Sequence, residues 1–275
     1  SDRDRYSYEG LYTNDRLTCP MIKQDGNWQE TDWETAIKLV VGKLQDVISS
    51  KGPSQIGTLV SPVATTEENY LLQKIIRSLG CNNIDHRVQH IDFQDQKNDP
   101  VFPLLGQSII DLENLNAALL IGAYPRKQQP LLNHRLRKAA LNGSDIMVVN
   151  QLDYDFNYRI SERIISRSNE MTTCLAGILK ALSADSKMEA DAEDLLNDIQ
   201  VNETHRAIAK KLSSANNATV LLGSIAESHP QFSEIRYLSQ KIAALSNAKL
   251  GFLGQAANTT GAWLAGAVPH RGPGS

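Results

Sequence analysis

Two short apolar runs that flank an amphipathic segment constrain the fold of this chain most strongly. Residues 117–122 read Ala-Ala-Leu-Leu-Ile-Gly and residues 145–150 read Asp-Ile-Met-Val-Val-Asn, so each run predicts a buried strand. Residues 131–141 have the spacing of an amphipathic helix, and Asn142 and Gly143 are typical of a helix end. A strand, a helix and a strand within about 35 residues form a βαβ unit. We expect the two strands to be parallel neighbours, joined by a right-handed crossover.

A similar but weaker pattern returns later in the chain. Residues 219–224 predict a strand, residues 230–245 a helix and residues 249–253 another strand. A further helix is predicted at residues 171–182, and the polar stretch 183–217 is also expected to be helical. The expected fold class is therefore α/β, with doubly wound and mainly parallel sheets in two lobes.

These elements predict where the lobes begin and end. Residues 31–216 are expected to form the first α/β lobe. Residues 217–275 are expected to be the start of a second α/β lobe that is truncated.

The segments before the βαβ unit are also predicted to alternate between helix and strand. Thr31 to Glu34 has the form of a capping box before a helix that reaches residue 48. Residues 55–60 predict a short strand, and residues 65–79 predict a helix that ends at Gly80. The apolar faces of the two helices are predicted to contain Ile37, Val40, Val41, Leu44, Val47 and Ile48 in the first, and Tyr70, Leu71, Ile75 and Leu79 in the second.

Composition and charge exclude several classes of function. The net charge of −3 and the pI of about 6.1 give no electrostatic basis for nucleic acid binding. No apolar run approaches the roughly 20 residues that a membrane-spanning helix needs, and the charged N-terminus lacks the apolar core of a signal peptide. The three cysteines, Cys19, Cys81 and Cys174, are far apart, which indicates reduced structural thiols in a cytoplasmic protein.

The chain lacks the common motifs for phosphate binding and nucleophilic catalysis. There is no G-x-G-x-x-G, no G-x-x-x-x-G-K-[ST] and no nucleophile elbow. His86 and His90, with Asp92 and Asp95 nearby, have a spacing that would suit metal ligands on a helix, but residues 82–85 predict a loop that enters a strand. We therefore expect no catalytic, cofactor-binding or metal-binding residue in this chain.

The segment near the N-terminus carries the first resemblance to a known family. Residues 5–22 read Arg-Tyr-Ser-Tyr-Glu-Gly-Leu-Tyr-Thr-Asn-Asp-Arg-Leu-Thr-Cys-Pro-Met-Ile. This sequence resembles the segment that closes the iron–sulfur portion of molybdopterin oxidoreductases of the formate dehydrogenase and DMSO reductase type. The resemblance implies that residues 1–30 are the end of an iron–sulfur-type segment. The last cluster cysteine of that family lies just upstream, so the chain is expected to be an internal fragment.

A second stretch resembles the metal-ligand segment of formate dehydrogenases. Residues 82–90 read Asn-Asn-Ile-Asp-His-Arg-Val-Gln-His, and on this placement Gln89 stands where cysteine or selenocysteine binds molybdenum. Tyr124 replaces the asparagine of a G-A-N-P stretch, and residues 150–152 replace a D-P-R sequence that holds the pterin nucleotide. A neutral amide is a poor substitute for a thiolate. The departures imply a molybdopterin-oxidoreductase fold that has lost the molybdopterin.

A domain of this kind resembles the large iron–sulfur subunit, also called the G subunit, of respiratory complex I (NADH:quinone oxidoreductase). Further matches are Arg87 with Asp92 and Phe93, and residues 258–262, which read Asn-Thr-Thr-Gly-Ala. The resemblance implies a non-catalytic scaffold, part of an enzyme that passes electrons from NADH to quinone. The full-length protein would carry 2Fe-2S and 4Fe-4S clusters outside this chain.

The same resemblance implies partners and a location. The partners would be other subunits of the peripheral arm, with no nucleic acid and with membrane association only through the complex. The location would be the cytoplasmic side of the bacterial inner membrane.

Two alternatives remain open at the level of sequence. In the first alternative, the chain would be a fragment of a catalytic molybdopterin oxidoreductase such as a formate dehydrogenase, and Cys81 would be the nearest candidate for the metal ligand. In the second alternative, the chain would be a small-molecule binding module that uses the glycine-containing loops of residues 251–254 and 261–266. Tight packing would also explain glycines at these positions.

Overall fold

The computed structural model describes residues 5–89, 91–183 and 196–274. The chain divides into two compact units. The first comprises Ser1–Gly57 and Arg77–Asn83, and the second comprises Thr58–Ile76 and Ile84–Ser275.

The first unit contains a β-hairpin and a long helix. Strands β1 (Met21–Gln24) and β2 (Asn27–Glu30) are antiparallel, and the two residues between them, Asp25 and Gly26, have positive φ angles of 49° and 83°. Such angles are those of a type I′ turn, whose twist matches that of the paired strands. Helix α1 (Trp33–Lys51) follows directly.

The cap of helix α1 differs from the prediction. Asp32 is the N-cap, and its carboxylate accepts a hydrogen bond from the Thr35 backbone N–H at 2.8 Å. Thr31 instead donates its backbone N–H to Pro20, and Glu34 pairs with Lys38 one turn later. The predicted capping box of Thr31 and Glu34 was therefore wrong by one residue, because the hairpin holds Thr31 outside the helix.

Helix α1 has the expected apolar residues, but none of its residues is buried. Ile37 and Val40 are each 57% exposed. The spacing therefore identified the helix correctly, while the burial of its apolar face is not found among the residues that the structure describes.

The second unit is built on a parallel sheet of five strands. These strands are β5 (Ala117–Ile121), β6 (Asp145–Asn150), β7 (Glu162–Ile165), β8 (Ala218–Leu222) and β9 (Lys249–Phe252). Their order is β7-β6-β5-β8-β9, and every neighbouring pair is parallel. A separate pair of short parallel strands, β3 (Thr58–Leu59) and β4 (Ile84–Asp85), belongs to the same unit.

Eight helices accompany these strands in the described part of the second unit. They are α2 (Thr66–Ser78, whose last residues belong to the first unit), α3 (Pro125–Gln128), α4 (Pro130–Leu141), α5 (Met171–Leu182), α6 (Glu203–Ser213), α7 (Ser224–Glu227), α8 (Phe232–Leu245) and α9 (Thr259–Leu264).

Apolar residues cover both faces of the sheet. On β5, Ala117, Leu119 and Ile121 pack with residues of α5, α6 and α8, whereas Ala118 and Leu120 pack with α4 and with Phe156. All five residues of β5 are buried. The strands of a parallel sheet that is buried on both faces have continuous apolar sequences, as β5 has. The doubly wound α/β fold expected from the sequence is confirmed.

The predicted βαβ unit is also present. Strand β5 pairs with β6 in parallel, with Leu119 opposite Met147, and helix α4 lies between them in the chain. The hand of the crossover stays a prediction.

The expected lobe boundary at residue 217 requires a correction. Strand β8 begins at Ala218 and pairs with β5, and β9 pairs with β8. A boundary at residue 217 would therefore cut one sheet in two, and residues 217–275 complete the first sheet rather than starting a second one. The repeated strand–helix–strand pattern arises because both halves of one doubly wound sheet use the same unit. The assignment of residues 1–30 to an iron–sulfur-type segment stays a prediction.

Helix α2 matches its predicted position but not its predicted face. Tyr70, Leu71 and Ile75 are exposed, while Asn69 and Gln73 are buried. The Asn69 amide nitrogen donates to the carbonyl oxygens of Ala64 and Thr65, so a buried polar group has backbone partners. Apolar spacing alone could not reveal this arrangement.

Three remaining expectations concern the ends of elements and the membrane. Gly80 has a φ of 82°, as expected for the residue that ends α2. Helix α6 lies in the stretch predicted to be polar and helical, of which residues 184–195 lie outside the described residues. Among the described helices, none combines the length and the hydropathy that crossing a membrane requires.

Candidate functional site

The order of the strands creates a switch point between β5 and β8. From β5 the chain proceeds to β6 and β7 on one side, while β8 and β9 extend the sheet on the other side. In open parallel sheets, ligands bind beside the carboxyl ends of the strands at such a point. The two loops at this point begin at Gly122, after β5, and at Gly223, after β8.

These two loops are closely packed against each other. The Gly223 N–H donates to Ile121 O at 2.9 Å, and the Ile225 N–H donates to Gly122 O at 3.0 Å. Gly122 has a φ of 55°, and a Cβ at this position would overlap the backbone nitrogen of Ala226. The glycines at the switch point therefore serve loop packing, not the close approach of a ligand.

The residues after β5 and β6 are bound to each other as well. Asn150 is fully buried, and its amide oxygen accepts the Ala123 N–H at 2.9 Å while its amide nitrogen donates to Ala123 O at 3.1 Å. Tyr124 stacks on Tyr154 with ring centroids 4.4 Å apart. Asn150 and Tyr124, two of the positions where the sequence departs from the family pattern, thus hold the carboxyl edge of the sheet together.

A cavity of about 180 Å³ lies beside this edge. Its walls come from segments that are far apart in the sequence: residues 86–89 with 91 and 92, residues 99–103, the end of α7, the start of α8, the end of β9 and helix α9. Its lining includes the charged, amide and aromatic side chains of His86, Arg87, Gln89, Asp92, Asp99, Glu227, Phe232, Phe252, Gln255 and Trp263.

His86 has a structural environment. Its side chain is buried, and Nδ1 lies 2.9 Å from the carbonyl oxygen of Ala267. Burial lowers the pKa of the imidazole, so the ring is neutral at physiological pH. Nε2 has no hydrogen-bond partner among the described residues. His90, its proposed companion, lies outside the described residues.

Arg87 and Asp85 form a bidentate ion pair. The guanidinium Nε and Nη2 each donate to a different carboxylate oxygen at 2.8 Å. Arg87 also lies over the ring of Trp263, 5.0 Å from its centroid. This geometry fixes the start of the segment that contains Gln89.

Within the part of the chain that the structure describes, the Gln89 side chain makes one hydrogen bond, in which the Ser228 hydroxyl donates to its amide oxygen. Ser228 follows helix α7, directly after Glu227. The position where the sequence pattern expects a metal-binding thiolate is thus occupied by a neutral amide bound to a neutral hydroxyl.

A buried arginine anchors the next part of the segment. Arg236 of α8 is 2% exposed, and it donates to Asp99 and, at 2.7 Å, to Asp95. Asp92 accepts hydrogen bonds from the Ser233 backbone N–H at 3.0 Å and from the Ser233 hydroxyl at 2.5 Å. Helix α8 therefore holds residues 92–99 in place.

Glu227 is the cavity residue that sequence reasoning missed. Oε2 accepts a hydrogen bond from the Gln255 amide at 3.1 Å, while Oε1 is buried with no partner among the described residues. Burial raises the pKa of Glu227 to about 8. The available signal was its position shortly after β8, at the carboxyl edge of a parallel sheet.

The structure gives no support to the other candidate sites. No group of three or more His, Cys, Asp or Glu side chains within the described ranges is arranged to hold a metal ion. A Cβ on Gly251 would overlap the carbonyl oxygen of Leu105, so this glycine serves packing. Cys81 is buried, with Sγ 3.1 Å from the Ile56 carbonyl oxygen. The absence of catalytic, cofactor-binding and metal-binding residues stays a prediction.

The fold and the cavity define a doubly wound α/β protein with a pocket beside the carboxyl ends of its strands. The model of the family "molybdopterin oxidoreductase" matches residues 16–272. The chain belongs to the molybdopterin oxidoreductase family.

Curated relatives include members with different activities. The chain is 32% identical over 144 residues to the G subunit of the NADH-quinone oxidoreductase of Rickettsia bellii, covering 52% of this chain and 20% of the relative. It is 31% identical over 156 residues to F420-dependent formate dehydrogenase 1 subunit alpha of Methanococcus maripaludis, covering 52% of this chain and 21% of the relative. The chain thus spans about a fifth of the length of these relatives.

A solved structure supports the fold. Acetylene hydratase from Pelobacter acetylenicus superposes with a TM-score of 0.63 at 12% identity, covering 90% of this chain and 37% of that protein. At this identity the likeness concerns the fold alone.

Proposed function

We propose that this chain is a cofactor-less molybdopterin-oxidoreductase domain of the large iron–sulfur subunit of an NADH-quinone oxidoreductase. In this role it performs no chemistry and acts as a scaffold in the part of the enzyme that receives electrons from NADH. The proposal is supported by the relatives that are named as G subunits of such enzymes and by the environment of Gln89.

The contact of Gln89 is the observation that carries the proposal. In the formate dehydrogenases that this segment resembles, a thiolate or selenolate binds molybdenum at this position, and a neutral amide oxygen is a poor replacement for such a soft, anionic ligand. The amide oxygen is moreover engaged by the Ser228 hydroxyl. The residues present therefore do not suit the metal, and we derive no step through it.

The carboxyl edge of the sheet supports the same conclusion for the pterin nucleotide. A nucleotide at this edge would need free backbone groups or glycines that leave space. Here Asn150 forms a hydrogen bond with each backbone group of Ala123, and the Gly122 and Gly223 loops contact each other. These contacts favour a domain that keeps the fold without the cofactor.

The proposal extends to partners and location. The chain would bind other peripheral-arm subunits, and iron–sulfur clusters of the 2Fe-2S and 4Fe-4S types would lie in parts of the full-length protein outside this chain. The complex would place it at the cytoplasmic face of the bacterial inner membrane, without direct contact with lipid or nucleic acid.

A catalytic formate dehydrogenase is the second candidate, because relatives with that name match at similar identity. It would need a thiolate ligand from another position. Cys81 is the candidate ligand from the sequence, but its thiol is buried and forms a hydrogen bond with the Ile56 carbonyl oxygen. This contact favours a structural thiol and supports the first proposal.

The proposal is tested by purifying the tagged protein from its own membranes in mild detergent. We expect NADH dehydrogenase subunits to co-purify, together with NADH-dependent quinone reduction. Formate-dependent activity without these subunits would overturn the proposal in favour of the second candidate.

The expectation that no residue of this domain takes part in catalysis is tested in the same complex. We expect His86→Ala and Asp92→Ala to leave the NADH-to-quinone rate per assembled complex within about twofold, because neither group performs acid–base catalysis, which contributes about a hundredfold or more. Asp155→Ala, at an exposed site, is the control. A loss of about a hundredfold at normal assembly would contradict the scaffold role.

A further inference from the structure

We propose that the cavity beside Glu227 binds a small organic ammonium ion with an apolar body about the size of a benzyl group. The inference does not depend on the proposed function, because it rests on the lining of the cavity and is tested by binding. Three features support it: an unpaired carboxyl oxygen, the pairing of the other charged groups, and an apolar wall.

The carboxyl of Glu227 is only partly satisfied. Gln255 donates to Oε2 at 3.1 Å, but Oε1 is buried with no donor among the described residues. A buried acceptor without a donor is unfavourable, and a ligand N–H placed beside it would remove the penalty. An ammonium group supplies three such donors and the opposite charge.

The other charged side chains of the lining already have partners. Arg87 is paired with Asp85, and Asp99 with Arg236. Asp92 accepts two hydrogen bonds from Ser233. Once Glu227 is ionised, its Oε1 is a charged acceptor without a partner among the described residues, so the cavity favours a cationic donor over an anion.

The remaining walls suit an apolar body. Phe232 and Phe252 line the cavity, and so do Val88, Ile91 and Pro103. The volume of about 180 Å³ is comparable with the cavity of about 150 Å³ that binds benzene in an engineered protein. A single ring with a one-carbon arm to the ammonium group matches this size.

Binding of such a cation is expected to release a proton from Glu227. The pKa of this group is about 8 in the absence of ligand, so near pH 7 the carboxyl is mainly protonated. The neighbouring His86 and Asp92 line the same cavity and have lowered pKa values, and Arg87 and Asp99 line it as members of ion pairs with Asp85 and Arg236. Affinity is therefore expected to rise with pH up to about 8 and then to level off while the amine stays protonated.

The test compares three probes with one body and different charges: benzylamine, benzyl alcohol and benzoate. Titration calorimetry on the purified protein at pH 8.5 should show benzylamine binding at least about tenfold more tightly than benzyl alcohol, with no binding of benzoate. Equal binding of amine and alcohol, tighter binding of benzoate, or no binding of the amine would each overturn the proposal.

Two variants distinguish binding of benzylamine at Glu227 from nonspecific attraction of the cation to acidic residues. Glu227→Gln keeps the shape of the side chain and should abolish the preference for benzylamine. Glu234→Gln, at an exposed acid of helix α8, should retain it. Circular dichroism would establish that both variants are folded. Retention of the amine preference in folded Glu227→Gln would place the binding elsewhere and refute the inference.

Discussion

Single residues at the carboxyl edge of the sheet lie in environments that change their protonation or restrict their packing. Glu227 has a raised pKa because it is buried, and hydrogen bonding from Gln255 opposes the shift only in part. Such a group stays protonated in the folded state at a pH where the unfolded chain has already lost the proton. Folding stability is therefore expected to fall as the pH rises.

This expectation is tested with Glu227→Gln. The wild type should lose stability relative to the variant between pH 5 and pH 8, and the difference should level off above about pH 8. One pH unit corresponds to about 1.4 kcal/mol for one proton, so a loss of roughly 2 to 5 kcal/mol is expected across this range. Urea denaturation at several pH values measures it. A constant difference between the two proteins would contradict the raised pKa.

Two glycines with positive φ allow a second prediction at this scale. At Gly122, alanine would combine a strained φ with overlap against Ala226, whereas alanine at Gly143 would meet open space at a φ of 94°. We expect a loss of about 3 kcal/mol or more for Gly122→Ala and about 1 to 2 kcal/mol for Gly143→Ala. Equal losses in thermal or chemical denaturation would mean that the Gly122 and Gly223 loops are not closely packed.

At the level of elements, helix α8 fixes the segment that closes one side of the cavity. Its Arg236 is buried against Asp95 and Asp99. Burial raises the pKa of Asp99, and the guanidinium opposes this shift. Removal of one member of a buried ion pair leaves an uncompensated charge, which is far more costly than the loss of an exposed pair.

Arg236→Met is the corresponding variant. It should lower the free energy of unfolding by roughly 3 to 5 kcal/mol. Arg163→Met, which removes an exposed pair with Asp153, should cost less than about 1 kcal/mol and serves as the matched control. Comparable losses for both variants in chemical denaturation would show that the burial of Arg236 contributes nothing.

The sequence predicted the elements that depend on a local pattern of residues. It did not predict features that depend on contacts between residues far apart in the chain. Strands β5 and β6 were predicted almost to the residue because continuous apolar runs favour buried parallel strands. The buried face of α2 was not predicted, since the Asn69 amide nitrogen binds backbone carbonyls that a pattern of apolar residues does not show. The cavity around Glu227 was missed because its walls come from widely separated segments.

At the scale of the whole molecule, the membership of the molybdopterin oxidoreductase family does not by itself decide between an enzyme and a scaffold. Relatives with the names of an NADH-quinone oxidoreductase and of formate dehydrogenases match at about 30% identity. We expect the decision to depend on the few positions that correspond, by the resemblance to formate dehydrogenases, to cofactor contacts. Of these, Gln89, Tyr124 and Asn150 are all engaged in contacts within the protein.

The central claim, a molybdopterin-oxidoreductase domain without its cofactor, is tested most directly by metal and pterin analysis. The protein is purified from cells that make molybdopterin and are supplied with molybdate, with a formate dehydrogenase purified in parallel as the loading control. We predict stoichiometric molybdenum and pterin in the control and only traces in this protein. Stoichiometric molybdenum in both would contradict the account.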